Sequence, residues 1–243
     1  MQKFIILILT VLLSINNLSI APIITENTIE TPLAVSEFEY SEAPQKIKNI
    51  KKSRGPIPVV KKKNIIKTDD ILFIGNSLIY GIDSVTDEHT FISKIGITIK
   101  GLREDGYYEN LQSHSLDTVI IEVGTNELGW FGENNFKDEF DILINKIKTQ
   151  NYKSNIILMT IPPVSENRDL TDEYFNNKNV EKYNQYIKDV ATKYNLMLID
   201  VHEILGDVLS PYDTDDGIHL RGHKYEEWYQ FILDKIEETN KQQ

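Results

Sequence analysis

Four short stretches of almost unbroken aliphatic residues constrain this chain more than any other feature. They span residues 70–75, 118–124, 155–161 and 196–200, and end at Gly75, Gly124, the pair Pro162-Pro163 and Asp200. Strands that are apolar at nearly every position, rather than every second one, need cover on both faces. Residues 91–98 suggest a further strand of the same kind. Between these runs the apolar spacing becomes helical. Phe136, Phe140, Leu143, Ile144 and Ile147 lie at i, i+4, i+7, i+8 and i+11, one stripe on a helix over about residues 134–149. Val180, Tyr183, Asn184 and Ile187 begin a second stripe that runs on to Val190 and Tyr194. Tyr225, Trp228, Tyr229, Ile232 and Ile236 make a third. This alternation predicts an α/β fold, a three-layer α/β/α sandwich around a parallel central sheet.

The expected globular domain covers residues 68–243. It is acidic, with 16 Lys+Arg against 32 Asp+Glu, whereas residues 1–67 hold 10 against 5. So negative a domain repels phosphate backbones, which argues against nucleic acid as a partner. With no cysteine in the chain, disulfide scaffolds, thiolate metal sites and cysteine nucleophiles are excluded. Ahead of the domain, Lys3 precedes an uncharged run over residues 4–15, the length of a secretory h-region rather than a full membrane span. Residues 1–21 read as a signal peptide cleaved near Ala21, or as an uncleaved N-terminal anchor. Either places the rest of the chain outside the cytoplasm, secreted or membrane-anchored. Residues 22–67 carry five prolines and no sustained period; from Lys46 to Lys67 there are nine Lys or Arg and no acid. That composition describes a flexible linker with a basic tract, a solvated spacer or a contact for a membrane surface or anionic wall polymer.

In parallel sheets ligands sit beyond the carboxyl ends of the strands, and those ends hold the polar residues of interest. The first strand runs into Gly75-Asn76-Ser77-Leu78, where a serine on a glycine turn can present its hydroxyl and its own N–H at the sheet edge. Ile79 stands where the nucleophile-elbow motif has its second glycine, so this is not that motif. The second run ends in Gly124-Thr125-Asn126-Glu127; a neutral amide suits an oxyanion because it stabilises charge without titrating. Before the last helix comes Asp216-Gly217-Ile218-His219, in which one turn can bring a carboxylate to an imidazole. Singly, each is as compatible with a cap or an Asx-turn as with chemistry.

Together and in this order the three segments resemble the SGNH (GDSL-type esterase/lipase) hydrolases, over roughly residues 70–236. The resemblance implies a flavodoxin-like fold and serine acyl hydrolysis without a cofactor or metal. It makes Ser77 the nucleophile, His219 the base and Asp216 its partner, with the Ser77 N–H, Asn126 and a glycine N–H as oxyanion hole. Gly96 fits that glycine, with Gly101 as the fallback. Asn76 and Glu127 stand where the family usually has aspartate, and both, with Trp130, are candidate substrate contacts. Trp130 and Phe131 suit a sugar or acyl subsite as well as simple loop packing. The loops over residues 166–179 and 210–215 are expected to shape the substrate groove. The implied substrate is an acyl ester, an acetyl or other short chain, on a carbohydrate or cell-wall glycan. An O-acyltransferase passing the acyl group to a sugar hydroxyl and a non-catalytic wall-binding scaffold are the alternatives. His219 and His223 share the spacing of a zinc pair, but Leu220 occupies the place of the glutamate of that motif. Asp213, Asp215 and Asp216 do not meet the register of a calcium loop.

Overall fold

In a computed structural model, the structure describes residues 65–242. The signal or anchor segment and most of the linker lie outside those residues. The first strand, β1 (Ile71–Gly75), leads into helix α1 (Ser77–Asp83) and returns as β2 (Thr90–Ser93). Helices α2 (Ile99–Glu104) and α3 (Tyr107–Asn110) precede β3 (Thr118–Glu122). A 3₁₀ turn over Thr125–Glu127 then opens onto α4 (Glu133–Gln150) and β4 (Asn155–Met159). Helices α5 (Glu166–Thr171) and α6 (Asn177–Tyr194), strand β5 (Met197–Ile199), and helices α7 (His202–Leu205) and α8 (Gly222–Gln242) complete the chain.

All five strands are parallel in the order β2-β1-β3-β4-β5. Alternate residues face opposite layers, and both faces are apolar. Leu72, Ile74, Val119, Ile121, Ile156 and Leu158 pack with the stripes of α2, α4 and α6. Ile71, Phe73, Ile120, Ile157, Met159 and Ile199 pack with Leu78, Ile79 and Ile82 of α1 and with Tyr225, Trp228, Ile232 and Ile236 of α8. Two cores, one on each face, explain why the strands read as continuous apolar runs. The three-layer parallel sandwich expected from the alternation is what forms.

Two boundaries differ from expectation. The strand suggested over residues 91–98 ends at Ser93, because Lys94, Ile95 and Gly96 turn out into solvent. The folded domain also starts before residue 68. Ile66 is buried, its N–H donates to Asn240 Oδ1 and its carbonyl accepts from Asn240 Nδ2. The Lys67 carbonyl accepts from Thr118 Oγ1. Two adjacent isoleucines, Ile65 and Ile66, after a run of lysines give no periodic signal, and the partner of Ile66 lies 174 positions away.

Candidate active site

The strand order reverses at β1, whose neighbours are β2 on one side and β3 on the other. At such a switch point adjacent loops turn apart and leave a crevice. Two glycines shape its floor. A Cβ on Gly75 would overlap the carbonyl oxygen of Glu122 and the side chain of Ile79, so only glycine allows β1 to turn so close to β3. Gly124 has φ +129, and a Cβ there would press on Ile161.

Asn76 caps α1: its Oδ1 accepts from the Leu78 N–H at 2.8 Å. The cap needs only an acceptor oxygen, so an amide serves where the family usually has a carboxylate. Ser77 then occupies the first helical position, where its own N–H has no acceptor within the helix. Across the crevice, His219 Nε2 lies 2.8 Å from Ser77 Oγ, and His219 Nδ1 lies 2.6 Å from Asp216 Oδ2. Asp216 Oδ1 accepts from the backbone N–H groups of Ile218 (2.9 Å) and His219 (2.8 Å). Partial burial raises the Asp216 carboxyl, but the bonds from the His219 ring and from these two N–H groups outweigh it. The net effect holds the carboxyl well below the usual carboxylate range. An ionised Asp216 places the ring proton on Nδ1, so Nε2 is the acceptor for the serine hydroxyl. Both His219 ring nitrogens are thus engaged, and His223 Nε2 lies 3.4 Å from Asp213 Oδ1.

Three supports of the Asp–His segment were not anticipated. Arg168 Nε on α5 donates to the Asp216 carbonyl at 2.7 Å, and Thr214 Oγ1 accepts from the Gly217 N–H at 2.9 Å. The Leu220 N–H lies 3.4 Å from the Tyr225 hydroxyl. Thr214 at the head of a Thr-Asp-Asp-Gly turn carries a signal for such a loop bond; Arg168, 48 positions from its acceptor, carries none.

Asn126 sits on the 3₁₀ turn after β3. Its Nδ2 gives one hydrogen to the Ile97 carbonyl at 2.9 Å, which leaves the second amide hydrogen. Gly96, next to Ile97, is exposed with φ +74. The fallback Gly101 is excluded as a donor, because its N–H is bonded to Thr98 Oγ1, the cap of α2. Trp130 is 50% exposed; its indole N–H donates to the Asn126 carbonyl at 2.7 Å and its ring meets Phe131 edge-on.

The expectation that Asn76 and Glu127 touch substrate is corrected here, since neither has any exposed surface. Asn76 is held in its cap, and Glu127 Oε1 accepts from the Ile99 N–H at 2.6 Å. Burial raises the carboxyls of Glu122, the last residue of β3, and of Glu127; the Glu127 charge raises Glu122 further, while the bond from the Ile99 N–H partly offsets the rise at Glu127. The loops over residues 165–167, 208–211 and 214–217 enclose a cavity of about 500 Å³ beside Asp216, which Ser77 and His219 do not line.

A parallel α/β/α sandwich with these polar loops at its switch point is an architecture shared with known ester hydrolases. The sequence profile of the GDSL-like lipase/acylhydrolase family matches residues 81–226, more than half of the chain, and the chain belongs to that family. The match takes in Asn126, Asp216 and His219 and begins four residues after Ser77. A multidomain esterase from Ruminococcus flavefaciens is 27% identical over 135 residues, covering 52% of this chain and 16% of that protein. The chain therefore corresponds to a small part of that relative. Among solved structures, a GDSL-like lipase from Bacteroides thetaiotaomicron superposes with a TM-score of 0.56 at 19% identity, covering 70% of this chain and 89% of that one. An acetylxylan esterase from Geobacillus stearothermophilus gives 0.55 at 18% identity, covering 72% and 96%. At such identities the likeness concerns the fold.

Proposed function

We propose that this chain is a serine esterase that removes a short acyl group, an acetyl above all, from a carbohydrate ester. One observation carries the proposal: the unbroken line from the Asp216 carboxylate through His219 to the Ser77 hydroxyl, at 2.6 and 2.8 Å. Ser77 Oγ attacks the ester carbonyl as His219 Nε2 takes its proton. The carbonyl oxygen becomes an oxyanion that faces the N–H groups of Ser77 and Gly96 and the second amide hydrogen of Asn126. His219 then passes the proton to the departing alcohol oxygen as the C–O bond breaks, leaving an acyl-serine. Water gives His219 a proton, attacks the acyl carbon, and Ser77 leaves with the proton returned. Asp216 holds the ring in the tautomer that makes Nε2 the base and stabilises the imidazolium that forms. Removal of one oxyanion donor costs about 3 kcal/mol of transition-state stabilisation, a factor on the order of 10².

Two features support a glycan-linked ester. The indole of Trp130 is held by its bond to the Asn126 carbonyl and is half exposed beside the proposed oxyanion hole. A fold neighbour is an acetylxylan esterase. The segment over residues 4–15 supports export, which N-terminal sequencing of secreted material tests. For the chemistry, the full chain is assayed on p-nitrophenyl acetate and on acetylated xylo-oligosaccharide. Ser77→Ala is expected to abolish turnover and labelling by a fluorophosphonate. Turnover retained in that variant refutes the nucleophile; wild-type protein that takes no fluorophosphonate refutes the enzyme. Trp130→Ala is expected to raise KM for the oligosaccharide at least ~5-fold relative to KM for p-nitrophenyl acetate, on the scale of a lost aromatic contact.

A further inference from the structure

Glu127 is a carboxyl with no exposed surface, and only one of its two oxygens has a partner. A buried acid left half-satisfied opposes folding, and an aliphatic side chain would fill the same place without that cost. What its bonded oxygen holds is a loop. Asn126 and Glu127, adjacent on the 3₁₀ turn, reach the same backbone from two sides. Asn126 Nδ2 donates to the Ile97 carbonyl at 2.9 Å, and Glu127 Oε1 accepts from the Ile99 N–H at 2.6 Å. The Tyr108 hydroxyl adds a bond to the Ile99 carbonyl at 3.3 Å.

The segment just before this grip is a turn: the Lys94 N–H donates to the Gly75 carbonyl at 3.4 Å, and the Lys94 carbonyl accepts from the Ile97 N–H at 3.3 Å. Lys94, Ile95 and Gly96 are exposed, and nothing lies within 4 Å of where a Gly96 Cβ would be. Ile97 and Ile99, by contrast, are buried in the core beneath. Gly96 lies between those two bonded ends, so the direction of its N–H is set in part by how firmly the backbone over residues 97–99 is fixed. That backbone is bonded to the turn bearing Asn126, so two proposed oxyanion donors from different loops are tied together.

We propose that Glu127 is a positioning residue, whose side chain, by holding the Ile99 N–H, sets the Gly96 N–H and the Asn126 amide at a common point. This rests on the serine-esterase reading above. A group held this way acts on the transition state rather than on substrate affinity, since the ground-state carbonyl makes weaker bonds to those donors.

The test uses three variants of the full chain on p-nitrophenyl acetate, with thermal melts to confirm folding. Glu127→Ala removes the acceptor and is expected to lower kcat ~30-fold or more with KM within about twofold; displacement of catalytic groups by 1 Å has effects of this order. Glu127→Gln keeps an oxygen for Ile99 and is expected to restore kcat to within about threefold of wild type. Glu127→Asp keeps the carboxyl but withdraws it by one methylene, and is expected to lower kcat ~10-fold or more. Should the alanine variant not fold, the Gln and Asp pair decides. Equal kcat in Gln and Asp variants, or a loss expressed in KM alone, overturns the proposal. Its failure is separable from failure of the esterase reading, which would show instead as activity surviving in Ser77→Ala.

Discussion

Asp216→Asn is the substitution whose consequence can be worked most fully from the bonds present. The carboxylate has two tasks: Oδ1 accepts the N–H groups of Ile218 and His219, and Oδ2 accepts His219 Nδ1–H. Asparagine has one oxygen for both. If that oxygen stays with the backbone, the NH₂ faces Nδ1, the ring proton moves to Nε2, and the nitrogen facing Ser77 can no longer accept. If the amide turns over, the base is correct but two backbone donors lose their acceptor, at ~1–3 kcal/mol each. The competent orientation is thus disfavoured by about 2–6 kcal/mol, a population of roughly one in thirty to one in 10⁴. Loss of the negative charge beside the imidazolium adds to this, and an amide in place of a triad aspartate typically costs ~10⁴ in kcat. The expected result is a fall in kcat of two to four orders of magnitude on p-nitrophenyl acetate, with stability above about pH 4 lowered by what the ionised carboxyl contributes to the bonds from His219 and the backbone. The pH dependence carries a second mark. The folded carboxyl titrates below its ordinary value, so its stabilising effect is complete above about pH 4 and lost as pH falls through the depressed value. The Asn variant should lack that acid-side decline. Retention of more than a tenth of wild-type kcat would refute the tautomer argument.

The other expectations concern the buried acids and the floor of the crevice. Burial raises Glu122 and Glu127 from the model-compound value of 4.5 to about 8, so the folded state keeps protons that the unfolded chain releases. Stability should therefore fall as pH rises from about 5 to about 8, by at most ~1.4 kcal/mol per pH unit for each group. Glu122→Gln should flatten that slope in urea melts across this range, and an unchanged slope would remove Glu122 from the account. Gly75→Ala should cost ~1–3 kcal/mol through overlap with the Glu122 carbonyl and Ile79. It should also lower kcat by moving Ser77; wild-type melting and turnover would contradict the crowding at that turn.

What the sequence discloses and what it hides follow from how each residue acts. The layers were legible because every strand is apolar on both faces, and such a run admits few architectures. Ser77, Asn126, Asp216 and His219 were legible because each lies just after an apolar run or just before a helix stripe. Asn76 and Glu127 were misread as surface contacts: polarity gives a residue's chemistry, but only packing decides whether it meets solvent. Glu122 was the one signal available for a buried acid, a charge inside a run where every neighbour is aliphatic. Ile66 and Arg168 depend on partners far along the chain, and no local pattern announces them. Gly96 and Gly101 both lie near the start of a helical pattern in the sequence; that Gly101 falls inside α2 with its N–H bonded to Thr98 Oγ1 is a matter of a few residues, the scale on which sequence boundaries blur.

The carboxylate and imidazole lie three positions apart on one braced turn, whereas the hydroxyl comes from 142 positions away. Warming that loosens the layers will separate serine from ring long before it separates ring from acid. Partial melting should thus leave an imidazole that still has its counter-ion but no alcohol to deprotonate. Activity should return on cooling, at the pace of one distance closing.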